Sequence, residues 1–187
     1  RQRQMCIRDR FLCREQDIQW FYQQGASRVF PDYWEDFQHP VAASKRQNMV
    51  AAYYDLLTGD NELARMAAAK AWSLWEARCA TLRPSHDVVE HFSDPHIALA
   101  LARIEAHYFL NKGFLAANQL LKNANKLSAI PGIIVHGRYD MICPLENATA
   151  LHAAWPQSQL NIVRDAGHAS SELSLIHISE PTRRHLI

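Results

Sequence analysis

Two textures of hydrophobicity meet near Pro131. From Arg14 to about Asn125, apolar residues recur three and four positions apart, the spacing of a buried helix face. The stretch SKRQNMVAAYYDLLTGD puts Met49, Val50, Tyr53, Leu56 and Leu57 on one side, and Gly59 stops it. Ser44 followed by Gln47 has the form of a capping box, which predicts a helix start at Ser44. Asp60 is placed to cap the next helix, whose expected stripe runs Leu63, Ala67, Ala71, Leu74 and Trp75. In SDPHIALALARIEAHYFLNKG, Asp94 is the expected cap, Pro95 takes the first helical position, and the helix should end before Gly113. ANQLLKNANKL predicts a shorter, weaker helix.

Beyond Pro131 the period changes. Ile133, Ile134 and Val135 make a continuous apolar run, which reads as a buried strand of the parallel kind. PLENATALHAAW reads as a helix with proline at its start, and QLNIV as the next strand. Strand, helix and strand in about thirty residues make a βαβ unit, so the sheet should be parallel. The expected organisation is a helical domain over 11–126 followed by the last part of an α/β core over 127–172. No internal repeat or low-complexity stretch interrupts either.

The two ends, RQRQMCIRDR and LSLIHISEPTRRHLI, have no hydrophobic period. Back-translating Met5 to Arg10 as ATG TGT ATA AGA GAC AG gives the reverse complement CT GTC TCT TAT ACA CAT. In the frame CTG TCT CTT ATA CAC AT, this codes for Leu173-Ser174-Leu175-Ile176-His177-Ile178. One short DNA element thus sits at both ends in opposite orientations, and it resembles the mosaic end of a transposase-based sequencing adapter. Residues 1–10 and 173–187 are therefore expected to be adapter-derived. Ser179, His177 and His185 are discounted as cap or ligands with them.

Composition narrows the function further. A formal net charge of +1 over 187 residues gives no electrostatic case for nucleic acid or an anionic membrane. No run approaches the roughly 18 apolar residues of a membrane span. Cys6, Cys13, Cys79 and Cys143 show neither C-x-x-C nor metal-ligand spacing, so reduced thiols in a cytoplasmic protein are expected, with no metal or cofactor. Nothing in the sequence fixes an oligomeric state. Six glycines is few for a complete α/β enzyme, whose strand-to-helix turns use them. A glycine-rich part is expected to lie outside this chain.

The candidate chemistry sits at the ends of the two strands. GIIVHGRYDMICP ends in a turn carrying Asp140, and IVRDAGHAS in a turn carrying His168. Both would lie at the carboxyl edge of a parallel sheet, where α/β folds build their sites. An acid then a histidine is the order that follows the nucleophile in α/β-hydrolases. The histidine would take a proton from a serine hydroxyl, and the acid would fix its tautomer and stabilise the imidazolium. The chain contains no Gly-x-Ser-x-Gly elbow, so the nucleophile is expected upstream of it.

VHGRYDMICP and AGHAS, preceded by QWFYQQGASRVFPDYWEDF, AWSLWE and LARIEAHYF, resemble the proline iminopeptidases over Phe11 to Glu172. The resemblance implies an α/β-hydrolase fold, here truncated to a helical cap domain and the last strands and helix of the parallel sheet. It implies a serine exopeptidase acting on peptides with N-terminal proline. Asp140 becomes the triad acid and His168 the general base. Glu76 of SLWE and Glu105 of ARIE become the cap carboxylates that bind the proline ammonium, and Phe11 and Phe21 the aromatic lining of the pyrrolidine pocket. The Glu76–Glu105 spacing is about one residue longer than the family pattern, which points to a different loop over 83–94. Arg138 reads as structural and Cys143 as a thiol near the acid, not a nucleophile. Two other readings stay open: another capped α/β-hydrolase, such as an epoxide hydrolase or haloalkane dehalogenase, and a non-catalytic helical binding module.

Overall fold

A computed structural model describes residues 14–172. Phe11, Cys6, Cys13 and the two adapter-like ends lie outside the described residues. Helix α1 (Glu15–Gln19) runs directly into a π-helical turn, Trp20–Gln24, followed by α2 (Ala26–Val29) and α3 (Pro31–Gln38). Pro31 enters α3 in the first turn, where its missing N–H costs nothing. The next helices are α4 (Met49–Thr58), α5 (Glu62–Cys79), α6 (His86–Phe92) and α7 (Pro95–Leu110).

Helix α7 begins as expected: Asp94 accepts from His96 N and Ile97 N at 2.9 and 3.0 Å. Two other starts do not. Residues Ala43–Lys45 form a 3-10 turn, and the cap of α4 is Asn48, which accepts from Ala51 N at 3.1 Å. The side chain of Gln23 in the π-turn accepts from Met49 N and donates to Arg46 O, and this long-range clamp displaces the Ser44–Gln47 box. Asn61, not Asp60, caps α5, accepting from Ala64 N at 3.1 Å.

The inner face of α5 is rotated by about one position from the expected stripe. Leu63 is 84% exposed, whereas Ala68, Ala69, Trp72 and Trp75 are buried. The helix packs on α3, α4, α6 and α7 at once, so its covered face is wide. Helix α7 presents Ala98, Ala102 and Ala106, all buried, as a seam at four-residue intervals, and such small residues allow close approach. Above the seam lies an aromatic core of Phe21, Tyr22, Phe37, Tyr53, Trp72 and Trp75. Tyr22 stacks on Trp72 at 4.5 Å and Phe37 on Tyr53 at 4.6 Å between centroids. Fully covering each of these side chains is worth about 1.5–3 kcal/mol or more.

After α7, Gly113 takes the left-handed conformation (φ 63°) that ends the run, and α8 (Gln119–Lys122) is a single turn followed by a 3-10 turn, Ala124–Leu127. Then come β1 (Gly132–Gly137), α9 (Glu146–Ala154) and β2 (Ser158–Val163). The strands are parallel, in register from Gly132↔Ser158 to Gly137↔Val163. Ile133, Ile134 and Val135 are half-buried rather than buried, because among the described residues the sheet has two strands, with α9 packed on them. Gly137 admits no side chain: a Cβ there would lie 2.1 Å from the carbonyl oxygen of Gly167. This close approach brings the turn after β2 onto the turn after β1.

Candidate active site

Asp140 is buried at the end of β1. Its Oδ1 accepts from Ile142 N at 3.1 Å and Cys143 N at 2.8 Å, which fixes the carboxylate in its own turn. His168 Nδ1 lies 3.0 Å from Oδ2 and 3.1 Å from Oδ1 of the same carboxylate. With Nδ1 donating to Asp140, Nε2 is left as the basic nitrogen. The imidazole is 30% exposed and the carboxylate fully covered, so the base faces outward from a buried acid.

The histidine turn is held by the helical region. His168 N and Ala169 N both donate to Ala80 O just past α5, at 2.9 and 2.7 Å. Glu172 accepts from Gly167 N and, at 2.7 Å, from Leu82 N, tying the same two segments. On the other side, Trp20 Nε1 donates to Met141 O at 2.8 Å, so the π-turn braces the acid turn. His136 lies beneath, its Nε2 2.9 Å from Cys143 O and 3.6 Å from Asp140 Oδ2.

Helix α5 carries Glu76 and α7 carries Glu105, both half-buried. Tyr22 donates to Glu76 Oε1, and Trp72 Nε1 donates to Glu105 Oε2 at 2.8 Å. Burial pushes the Glu76 carboxyl well above the usual range; the charge of Glu105 adds to this and the Tyr22 hydroxyl opposes it. Burial pushes Glu105 up to about 7, against the opposing effects of Trp72 and of a positive His168. Tyr22 is itself held far above its ordinary value, first by burial and then by Glu76 and Glu105, so it stays a neutral donor.

Phe21 is buried and stacks on Trp75 at 5.2 Å between centroids. Arg138 is exposed, and its backbone N–H donates to Val163 O at the end of β2. The segment 83–94, where a departure from the family spacing was expected, contains α6. Asp140, Cys143 and His168 offer ligand atoms within 4.8 Å of one another. The carboxylate among them is already committed to two backbone N–H groups and the imidazole.

Sequence reasoning missed Tyr22, Trp72, Trp20 and His136. WFYQQ alone contains three side chains that serve this region, Trp20, Phe21 and Tyr22, but a buried aromatic with a polar tip is legible only as core until its partner is known.

A scan of family models finds no match to the chain. Similarity to individual proteins is extensive. The chain is 48% identical over 170 residues to a proline iminopeptidase of Xanthomonas citri, covering 90% of this chain and 54% of that protein. A proline iminopeptidase of Xylella fastidiosa is 46% identical over the same shares. One from Arabidopsis thaliana is 44% identical over 90% of this chain and 45% of its own length. Over the matched stretch the chain is similar to the proline iminopeptidases. It spans about half the length of the curated proline iminopeptidases it matches. No helix among the described residues is long and apolar enough to cross a membrane.

Proposed function

We propose that this chain supplies the acid, the base and the amine-recognising carboxyls of a serine exopeptidase that releases N-terminal proline from peptides. The observation that carries the reading is the pairing of His168 with buried Asp140 at 3.0 Å, on a turn held by Ala80 O just past the helix that carries Glu76. Asp140 holds the imidazole in one orientation and tautomer, so His168 Nε2 can accept a proton from a serine hydroxyl and return it to the leaving amine. Glu76 and Glu105 face a substrate's protonated N-terminus, where charge-assisted hydrogen bonds reject a blocked end. Phe21, and Phe11 outside the described residues, are assigned to the apolar wall around the pyrrolidine ring.

In this reading the fold is an α/β-hydrolase. Residues 11–126 form the helical cap, 127–172 belong to the sheet core, and 1–10 and 173–187 derive from adapter DNA. The serine and the oxyanion-binding segment would come from the part of the relatives that this chain does not cover. Neither an epoxide nor a haloalkane brings a cation for two carboxyls, so the other capped hydrolases gain no support from the site. A binding module has no need of an oriented imidazole.

The test joins residues 11–172 to the part of the Xanthomonas citri enzyme they do not cover. That chimera should hydrolyse proline p-nitroanilide and leave N-acetylproline p-nitroanilide intact. Equal turnover of both would remove the aminopeptidase reading. The 187-residue chain alone should turn over neither, since lack of the nucleophile costs on the order of a million-fold.

A further inference from the structure

Resting on that reading, the details around the two glutamates bear on how one class of N-terminus is selected. Each carboxyl is engaged at one oxygen by an aromatic donor: Glu76 Oε1 by the Tyr22 hydroxyl and Glu105 Oε2 by the Trp72 indole. Glu76 Oε2 and Glu105 Oε1 receive no hydrogen bond from the described residues. The two donors come from the π-turn and α5 and stack on one another, 4.5 Å apart and 21° from parallel. π-Turns of this kind are rare and concentrate at functional sites. Stacking fixes both donors, and through them the rotation of both carboxyl planes. Neither donor has a part in the proton transfers assigned to His168.

We propose that Tyr22 and Trp72 are positioning residues that leave the carboxyl pair two acceptor oxygens, so that the site selects a secondary ammonium by counting its N–H bonds. Protonated N-terminal proline has two N–H bonds, one for each remaining oxygen. A primary ammonium has three. Its third donor would meet no acceptor on the carboxyl pair and would give up part of its hydration, the cost of one unmade hydrogen bond. The selected substrates are then those with an N-alkylated amino end, with the five-membered ring a separate requirement. Removing either aromatic donor frees a third oxygen and should relax the selection without abolishing cation binding.

Four small cations separate ring shape from donor count. Prolinamide is secondary and cyclic, and N-methylalaninamide secondary and open. 1-Aminocyclopentanecarboxamide is primary and cyclic, and alaninamide primary and open. Binding to the 187-residue chain is followed at pH 7.5 by calorimetry and by tryptophan fluorescence, to which Trp72 and Trp75 contribute, and affinities are expressed per protonated amine. The wild-type chain should prefer N-methylalaninamide to alaninamide, and prolinamide to 1-aminocyclopentanecarboxamide. Each preference should be roughly 5- to 100-fold, the range for one unsatisfied buried donor.

Tyr22→Phe keeps the stacked ring and loses only the hydroxyl, so both ratios should fall at least about fivefold. Trp72→Phe removes the donor to Glu105, with a smaller ring in place of the buried indole, and serves if the first variant folds poorly. Loss of affinity for all four cations alike would mean the aromatics are merely structural and would overturn the proposal. Unchanged ratios in both variants would also overturn it, leaving the aminopeptidase reading in place. If the wild type binds N-acetylprolinamide as well as prolinamide, the ammonium site itself is wrong and both fall together.

Discussion

Trp72 and Trp75 on α5 are 0% and 1% exposed, while Ile133, Ile134 and Val135 on β1 are only half covered, although both runs are apolar in sequence. The helices find their partners in one another. The strands find each other and α9, and the smaller buried cluster beside them consists of Val163 and Ala166 with Val135 packed against it. The site draws on both regions unequally. Asp140 is fixed by its own turn after β1, whereas His168 hangs from Ala80 O at the end of α5 and the carboxyl pair is wholly helical. The acid–histidine pair is therefore held where strands and helices meet, and the two carboxyls lie within the well-packed helical region, to which the proposed function assigns proton transfer and amine recognition respectively.

The sharpest way to separate the two regions is Asp140→Asn in the chimera. The substitution keeps the shape of the turn but offers His168 the wrong partner, so kcat should fall by about 10⁴ with KM little changed. A large rise in KM would mean that the strand-end turn also binds substrate.

Stability should divide the regions the other way. Trp75→Ala removes a fully buried indole and should cost about 3–5 kcal/mol in urea unfolding of the chain. Ile134→Ala, in the half-covered strand, should cost about 2 kcal/mol or less. Equal losses would show that the strands are as tightly packed as the helices.

Glu76→Gln or Glu105→Gln in the chimera should raise KM for a free N-terminal proline while leaving kcat closer to wild type. The loss of one of two carboxylate partners for a buried ammonium corresponds to about 2–5 kcal/mol, or roughly 30- to several-thousand-fold. Wild-type KM in both variants would preserve a hydrolase and remove the aminopeptidase.

The smallest effect concerns pH. Glu105 is raised in the folded protein to about 7, above its unfolded value, so between about pH 4.5 and 7 the folded state binds more protons than the unfolded one. Stability should be highest below that window, decline as pH rises through it and level off above 7. Glu105→Gln should flatten the slope of urea midpoint against pH. An unchanged slope would place the titration elsewhere.

Some of this molecule was determined by local sequence alone. Asp94-Pro95 starts a helix wherever it stands, because one side chain satisfies two N–H groups and the proline has none to satisfy. The period of Met49, Val50, Tyr53 and Leu57 marks a buried face, and the apolar runs after Pro131 mark two strands, because side-chain direction follows backbone geometry. Asp140 and His168 were legible as a pair because each ends such a strand. Only the tertiary structure decided the rest. The start of α4 passed from Ser44 to Asn48 because Gln23, far away in sequence, clamps Met49 and Arg46. The buried face of α5 was set by four helices at once, which no single period encodes. Tyr22 and Trp72 look like core aromatics in the sequence; their hydroxyl and indole N–H acquire a role only where Glu76 and Glu105, on separate helices, are brought within hydrogen-bond reach.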